Sequence, residues 1–187
     1  MSNFTKREKD ILELCLRITN ADKPSEAVDT FTEIMESITY SEVIWVVDEL
    51  VSQNIPMEKL KTGINKFLNL FYNTLNKANI PTPKEKSFLY YLTQNNSELD
   101  SILKSTKPFL RDVNRDPEND AIKEQLIKRF EKLLQYDNQY IIKENILFPL
   151  LEKKWTNYRC LQVMWSFHDD IRRNLKKYIG DFTFRNP

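Results

Sequence analysis

The chain contains one histidine, His168. It falls on a run of helical spacing among Leu161, Met164, Trp165, Ile171 and Leu175, where an apolar residue would be the rule. A second run reads Ile122, Leu126, Phe130, Leu133, Asp137, Tyr140, Glu144, Leu147, Leu151. Asp137 and Glu144 interrupt it in the same way. An imidazole and a carboxylate inside apolar stripes can ligate a metal, exchange a proton, or satisfy each other as a buried pair. The two runs are joined by a short turn centred near residue 156. Glu144 lies 12 residues before that centre and His168 lies 12 after it. In an antiparallel hairpin, residues at equal distance from the turn lie at one level, so Glu144 and His168 are predicted to face each other. They are the candidate metal ligands, with Asp137 or Asp169 as further donors. A single histidine and no other imidazole favours the self-satisfied pair, because iron and zinc sites normally draw on several such ligands.

Asn95 and Asn96 interrupt a third stripe, between Leu92 and Leu99. With a connection over 107–117, Asn95 is level with about residue 129. That is roughly 20 Å from Glu144 at a helical rise of about 1.5 Å per residue.

The elements that must position these residues are all helical. Only two glycines occur, Gly63 and Gly180, whereas hairpin-rich and phosphate-loop folds need many. The predicted class is all-α: a small N-terminal helical domain over 1–78, a linker over 79–83, and a helical bundle over 84–187. Pro81 and Pro83 mark the linker, since two prolines one residue apart oppose helix continuation. In the first domain, helices are expected over 5–19, from Ser25 to about Ser37 (burying Ala27 and Val28 among others), from Thr39 to Ser52, and from Met57 to Lys77. Thr39 and Glu42 have the spacing of a capping box. In the second, a helix over 84–105 precedes the connection 107–117. A helix capped by Asp116 then runs to Lys153, broken or kinked near residue 145 by Pro149, and a last one covers 158–179. The basic run RRNLKK, residues 172–177, fits the end of that helix, where cations complement the dipole.

Composition narrows the function classes. The 187 residues are 41% hydrophobic, with 28 Lys+Arg against 27 Asp+Glu. Such a balance gives no field for nucleic acid or an acidic membrane surface. No apolar run approaches the roughly 20 residues of a membrane span, and the N-terminus lacks the apolar core of a signal peptide. A cytoplasmic location is expected. Cys15 and Cys160 stand alone, with no CxxC pair to hold zinc.

Two segments, KENILFPLLEK (143–153) and LQVMWSFHDDIRRNLKK (161–177), resemble hemerythrin-like (HHE cation-binding) proteins. The likeness rests on Lys143-Glu144, Leu147-Phe148-Pro149, Val163-Met164-Trp165 and Asp169-Asp170-Ile171-Arg172. It is strongest to the bacterial group with a leading helical domain of unknown function, whose pattern residues 24–72 follow more loosely. The resemblance implies oxygen, iron or redox sensing through a non-haem iron pair held by histidines and carboxylates. This chain departs from that pattern at three places: Gln139 and Phe67 stand where the resemblance puts histidines, and Asn95 where it puts a glutamate. A fourth bundle helix has no counterpart.

The expectation is a degenerate hemerythrin-like regulatory or protein-binding module without a di-iron centre or other cofactor. The alternative is a non-haem iron or redox sensor with a reduced metal site. The apolar groove left by a missing helix would be filled either by the 57–77 helix folding back or by another chain, and a second copy of the chain or a partner helix is expected. No enzyme is expected, because no nucleophile motif or glycine-rich loop accompanies Glu144 and His168.

Overall fold

The computed structural model describes residues 4–20 and 31–183, the side chains of 181–183 excepted. The expected helix from Ser25 lies partly outside these residues, and Ala27 and Val28 wholly so. The fold is all-α, with no strand among the described residues. Two compact units divide the chain discontinuously. One takes Met1–Ile80 and Leu151–Phe167, the other Pro81–Leu150 and His168–Pro187. The sequence pattern, by contrast, drew contiguous domains.

In the first unit, α1 (Lys6–Asn20), α2 (Thr32–Ser37), α3 (Tyr40–Ser52) and α4 (Met57–Asn76) are ordinary amphipathic helices. α1 buries Ile11, Leu14, Cys15 and Ile18, spaced three and four apart as one face of a helix requires. It packs mainly on α4 and α3. α4 contributes Leu60, Ile64, Phe67 and Phe71, with the two phenyl rings edge to face at 4.7 Å. Gly63 permits the approach of α1, because a Cβ there would come within 2.2 Å of the Thr19 hydroxyl. The Thr39–Glu42 capping box forms as expected: each side chain bonds the other's backbone N–H.

The later part of this unit is anchored by a buried carboxylate. Asp48 accepts the backbone N–H of Arg159 at 2.5 Å and pairs with its guanidinium at 2.8 Å. Arg159 immediately precedes the last described helix, α9 (Cys160–Thr183). A side chain from α3 thus satisfies one of the backbone donors that any helix start leaves open.

The second unit differs from expectation in two places. First, the stretch 107–117 is largely helix. α5 runs unbroken from Phe88 to Arg115, through Pro108. The proline removes one hydrogen bond to the carbonyl of Lys104, but both residues lie on the exposed face. Water can satisfy that carbonyl there, and the buried face, with Ile102, Thr106 and Val113, holds the helix together. α6 (Asp120–Leu134) follows, capped by Asn119 rather than Asp116: the Asn119 side chain accepts the N–H of Ile122. Ile102 and Val113 pack with Leu126, Phe130 and Leu133 as the core of this unit.

Second, Pro149 does not break its helix. After α7 (Asp137–Ile142), the backbone widens into a π-helix over Lys143–Leu147 and then resumes as α8 (Phe148–Lys154). The Phe148 N–H bonds the carbonyl of Lys143, five residues back. A proline cannot donate to the residue four before it, and a wider turn re-routes the bonding just ahead of it. The break or kink expected near residue 145 takes the form of a π-turn there, and Glu144 sits inside it.

Candidate functional site

The π-turn points Glu144 into the second unit, toward the face of α9 that carries His168 and, one turn later, Arg172. The Glu144 carboxylate is 5% exposed and the His168 ring 3%. Glu144 Oε1 lies 2.7 Å from His168 Nδ1, and Oε2 accepts from Arg172 Nη2 at 2.8 Å. The level-for-level pairing predicted from the turn at 156 is what the geometry has. Phe148 stacks on the imidazole with ring centroids 5.9 Å apart, and Tyr140 lies at 4.3 Å.

Arg172 is the residue the sequence pattern misjudged. As part of RRNLKK it was expected to complement a helix end. α9 continues to Thr183, so Arg172 lies well inside the helix. Its Nε donates to Asp137 Oδ1 at 2.5 Å and its Nη1 to Asp169 Oδ1 at 3.2 Å, in addition to the bond to Glu144. All three nitrogens are engaged, each by a different carboxylate. Its guanidinium carbon also lies 5.7 Å from the Tyr140 ring centre. The signal available in the sequence was spacing. Arg172 follows His168 by four residues, and Glu144 follows Asp137 by seven, so each pair shares a helical face.

Burial pushes the His168 pKa below its ordinary value, which the adjacent Glu144 carboxylate only partly offsets. The shift favours the neutral imidazole, whose Nδ1 faces Glu144 Oε1 at hydrogen-bonding distance. The hydrogen bond to Glu144 drives Arg172 further up from an already high value, against the opposing effect of burial. Burial also raises the Tyr140 hydroxyl and lowers Lys143.

Asn95 requires a correction. It lies beside Gln139, not level with residue 129: Asn95 Nδ2 donates to Gln139 Oε1 at 2.8 Å. The reason is α5. With 107–115 helical, the midpoint of the hairpin moves to residue 117, halfway between 95 and 139. Ser105 and Arg129, hydrogen-bonded at 3.0 Å, share that midpoint. Next to the amide pair, Lys143 Nζ donates to Asn96 Oδ1 at 2.9 Å. Phe67 is fully buried in the first unit.

The donor set does not suit the iron pair that the resemblance implies. Two amides bond each other, a phenyl ring fills a core, and both oxygens of Glu144 are already taken. No group of three or more His, Cys, Asp or Glu side chains is arranged to hold a metal ion among the described residues. A cavity of about 430 Å³ in the first unit, lined by Ser41, Ile44, Lys154, Trp155, Thr156 and Asn157, holds no carboxylate or imidazole. No described helix is long and apolar enough to cross a membrane. Comparison with known proteins finds no matching family model, no matching curated protein and no matching solved structure.

Proposed function

We propose that this chain is a regulatory or protein-binding helical module on a hemerythrin-like scaffold, without a di-iron centre. The hydrogen bond between Asn95 and Gln139 carries the reading. These are two of the positions where the resemblance calls for iron ligands, and they hold neutral amides that satisfy one another. Amides are poor iron ligands beside imidazole or carboxylate. Their mutual bond also removes any need for an ion to satisfy them in a partly buried setting.

Binding of another protein is supported by the outer face of the segment that carries Glu144. Ile141, Ile146 and Leu150 are 42%, 49% and 50% exposed there. Branched apolar side chains spaced one turn apart on a helical surface suit the apolar face of another helix. The proposed occupant is a second copy of the chain or a partner helix.

Metal analysis of anaerobically purified protein, run alongside light scattering, tests both parts. The expected result is well under one equivalent of iron, manganese or zinc, and a mass above that of the monomer. Stoichiometric iron would favour the alternative of a hemerythrin-type sensor with a reduced site. A strict monomer at high concentration would remove the case for self-association and leave only a heterologous partner.

A further inference from the structure

Three carboxylates from three elements converge on one cation. Asp137 belongs to α7, Glu144 to the π-turn and Asp169 to α9, and each bonds a different nitrogen of Arg172. Arg172 itself is only 19% exposed in its side chain, and Glu144 is 5%. Leaving Glu144 without a counter-ion would be costly, because a buried carboxylate left unpaired loses its hydration for no return; Asp137 and Asp169, 36% and 65% exposed, keep contact with water. The fold therefore demands positive charge at this point. His168 does not supply it, since burial favours its neutral form. Lys143 is directed to Asn96. The demand falls on Arg172, whose planar fork can address three acceptors in different directions, as a point-like ammonium cannot.

At Glu144, a divalent ion would have to take an oxygen that is already bonded. To reach Glu144 it must displace the guanidinium from Oε2 or the imidazole from Oε1. To use His168 through Nδ1 it must break the 2.7 Å bond to Glu144. We infer that the Arg172 guanidinium is a built-in cation that takes the place of a bound metal ion, gathering Asp137, Glu144 and Asp169 while closing that position to divalent cations. The inference rests on the metal-free reading above and deepens it: with Asn95, Gln139 and Phe67 unable to supply an iron site, Arg172, a residue the resemblance shares, is the cation left to hold these carboxylates.

The test uses the full chain as wild type, Arg172→Lys and Arg172→Met, with thermal unfolding followed in the presence and absence of millimolar Mn²⁺ or Co²⁺. Wild type should unfold at the same temperature with and without either ion. Arg172→Met should unfold at a lower temperature, recover part of the loss when an ion is added, and develop the visible absorption of bound Co²⁺. Arg172→Lys, which keeps a charge, should show no response to either ion. An Arg172→Met protein that folds and ignores both ions would overturn the inference, as would a wild type that binds an ion with Arg172 still paired. If Arg172→Met does not fold, nuclear magnetic resonance of the wild type decides. A resolved, slowly exchanging Arg172 Nε–H signal is expected, and a signal exchanging like that of a free arginine would overturn the proposal. Stoichiometric metal in the wild type would defeat the metal-free reading together with this one. A metal-free wild type with an unresponsive Arg172→Met would defeat this one alone.

Discussion

The two compact units are organised by different physics. In the first, Ile11, Leu14, Cys15, Ile18, Val46, Leu50, Phe67 and Phe71 are wholly withdrawn from solvent. In the second, Leu126 alone among the described hydrophobic residues is withdrawn to that degree. Both units bury charge: the first holds Asp48, paired with Arg159, and the second holds Glu144 with His168, Glu144 also bonded to Arg172. Apolar burial is non-directional and tolerates repacking. A buried charge cluster is directional, and each member depends on the others being present. The difference is one of proportion: the first unit has a large apolar core with one anchored carboxylate, and the second has a thin core beside a networked charge cluster.

Four substitutions test that contrast, in descending order of effect. Phe67→Ala should be the most damaging, costing about 3–5 kcal/mol through lost contacts and the cavity left behind. Urea unfolding would measure it as a lower midpoint at an unchanged slope. Glu144→Ala should cost about 3 kcal/mol, because Arg172 and His168 lose a shared acceptor. The sharper comparison is the triple change Glu144→Leu, His168→Phe, Arg172→Leu. It should recover most of that loss, since replacing a whole buried polar set by apolar residues of similar volume is often neutral. No analogous compensation exists for Phe67. Failure of the triple variant to recover would mean that the charge cluster stabilises the unit outright.

Asp48→Ala should cost about 1.5–3 kcal/mol, the range for hydrogen bonds to a charged group, and calorimetry would register it as a lower Tm. Smallest is Glu42→Gln, at about 1 kcal/mol for a weakened helix cap. Here the effect should depend on pH. Burial alone would raise the Glu42 carboxyl, but the bonds from Arg7 and Thr39 outweigh it and hold its pKa below the usual 4.5. A carboxyl lowered in the folded state contributes stability that is present above its unfolded pKa and lost as pH falls through the folded one. The gap in Tm between wild type and Glu42→Gln should therefore be full at neutral pH and close progressively below pH 4.5.

The helical class, the capping box at Thr39 and the facing of Glu144 and His168 were all legible in the sequence, because each depends on local spacing. What was not legible depended on exposure and on the far side of the bundle. Pro108 reads as a helix stop unless it is known to face water, and that misreading moved Asn95 away from Gln139. Pro149 announces a disturbance but not its form, since a break and a π-turn satisfy the same missing N–H. Arg172 was hidden by its neighbours: the four basic residues of RRNLKK look alike until the end of the helix is placed. Asp48 gave no signal at all, because its partner is the backbone of a residue far along the chain.

That last pairing sets a timetable. Asp48 and Arg159 are separated by 111 positions. At roughly 5–20 residues per second of synthesis, about 6–22 s pass between the appearance of the carboxylate and that of the N–H it accepts. Throughout that interval α1, α3 and α4 are available to pack, yet the position that Asp48 takes in the finished fold is 2% exposed and without its partner. The unit begun first therefore stays incomplete until residues 151–167 have been made, and a chain interrupted before Arg159 leaves the Asp48 carboxylate unmatched where its core should close.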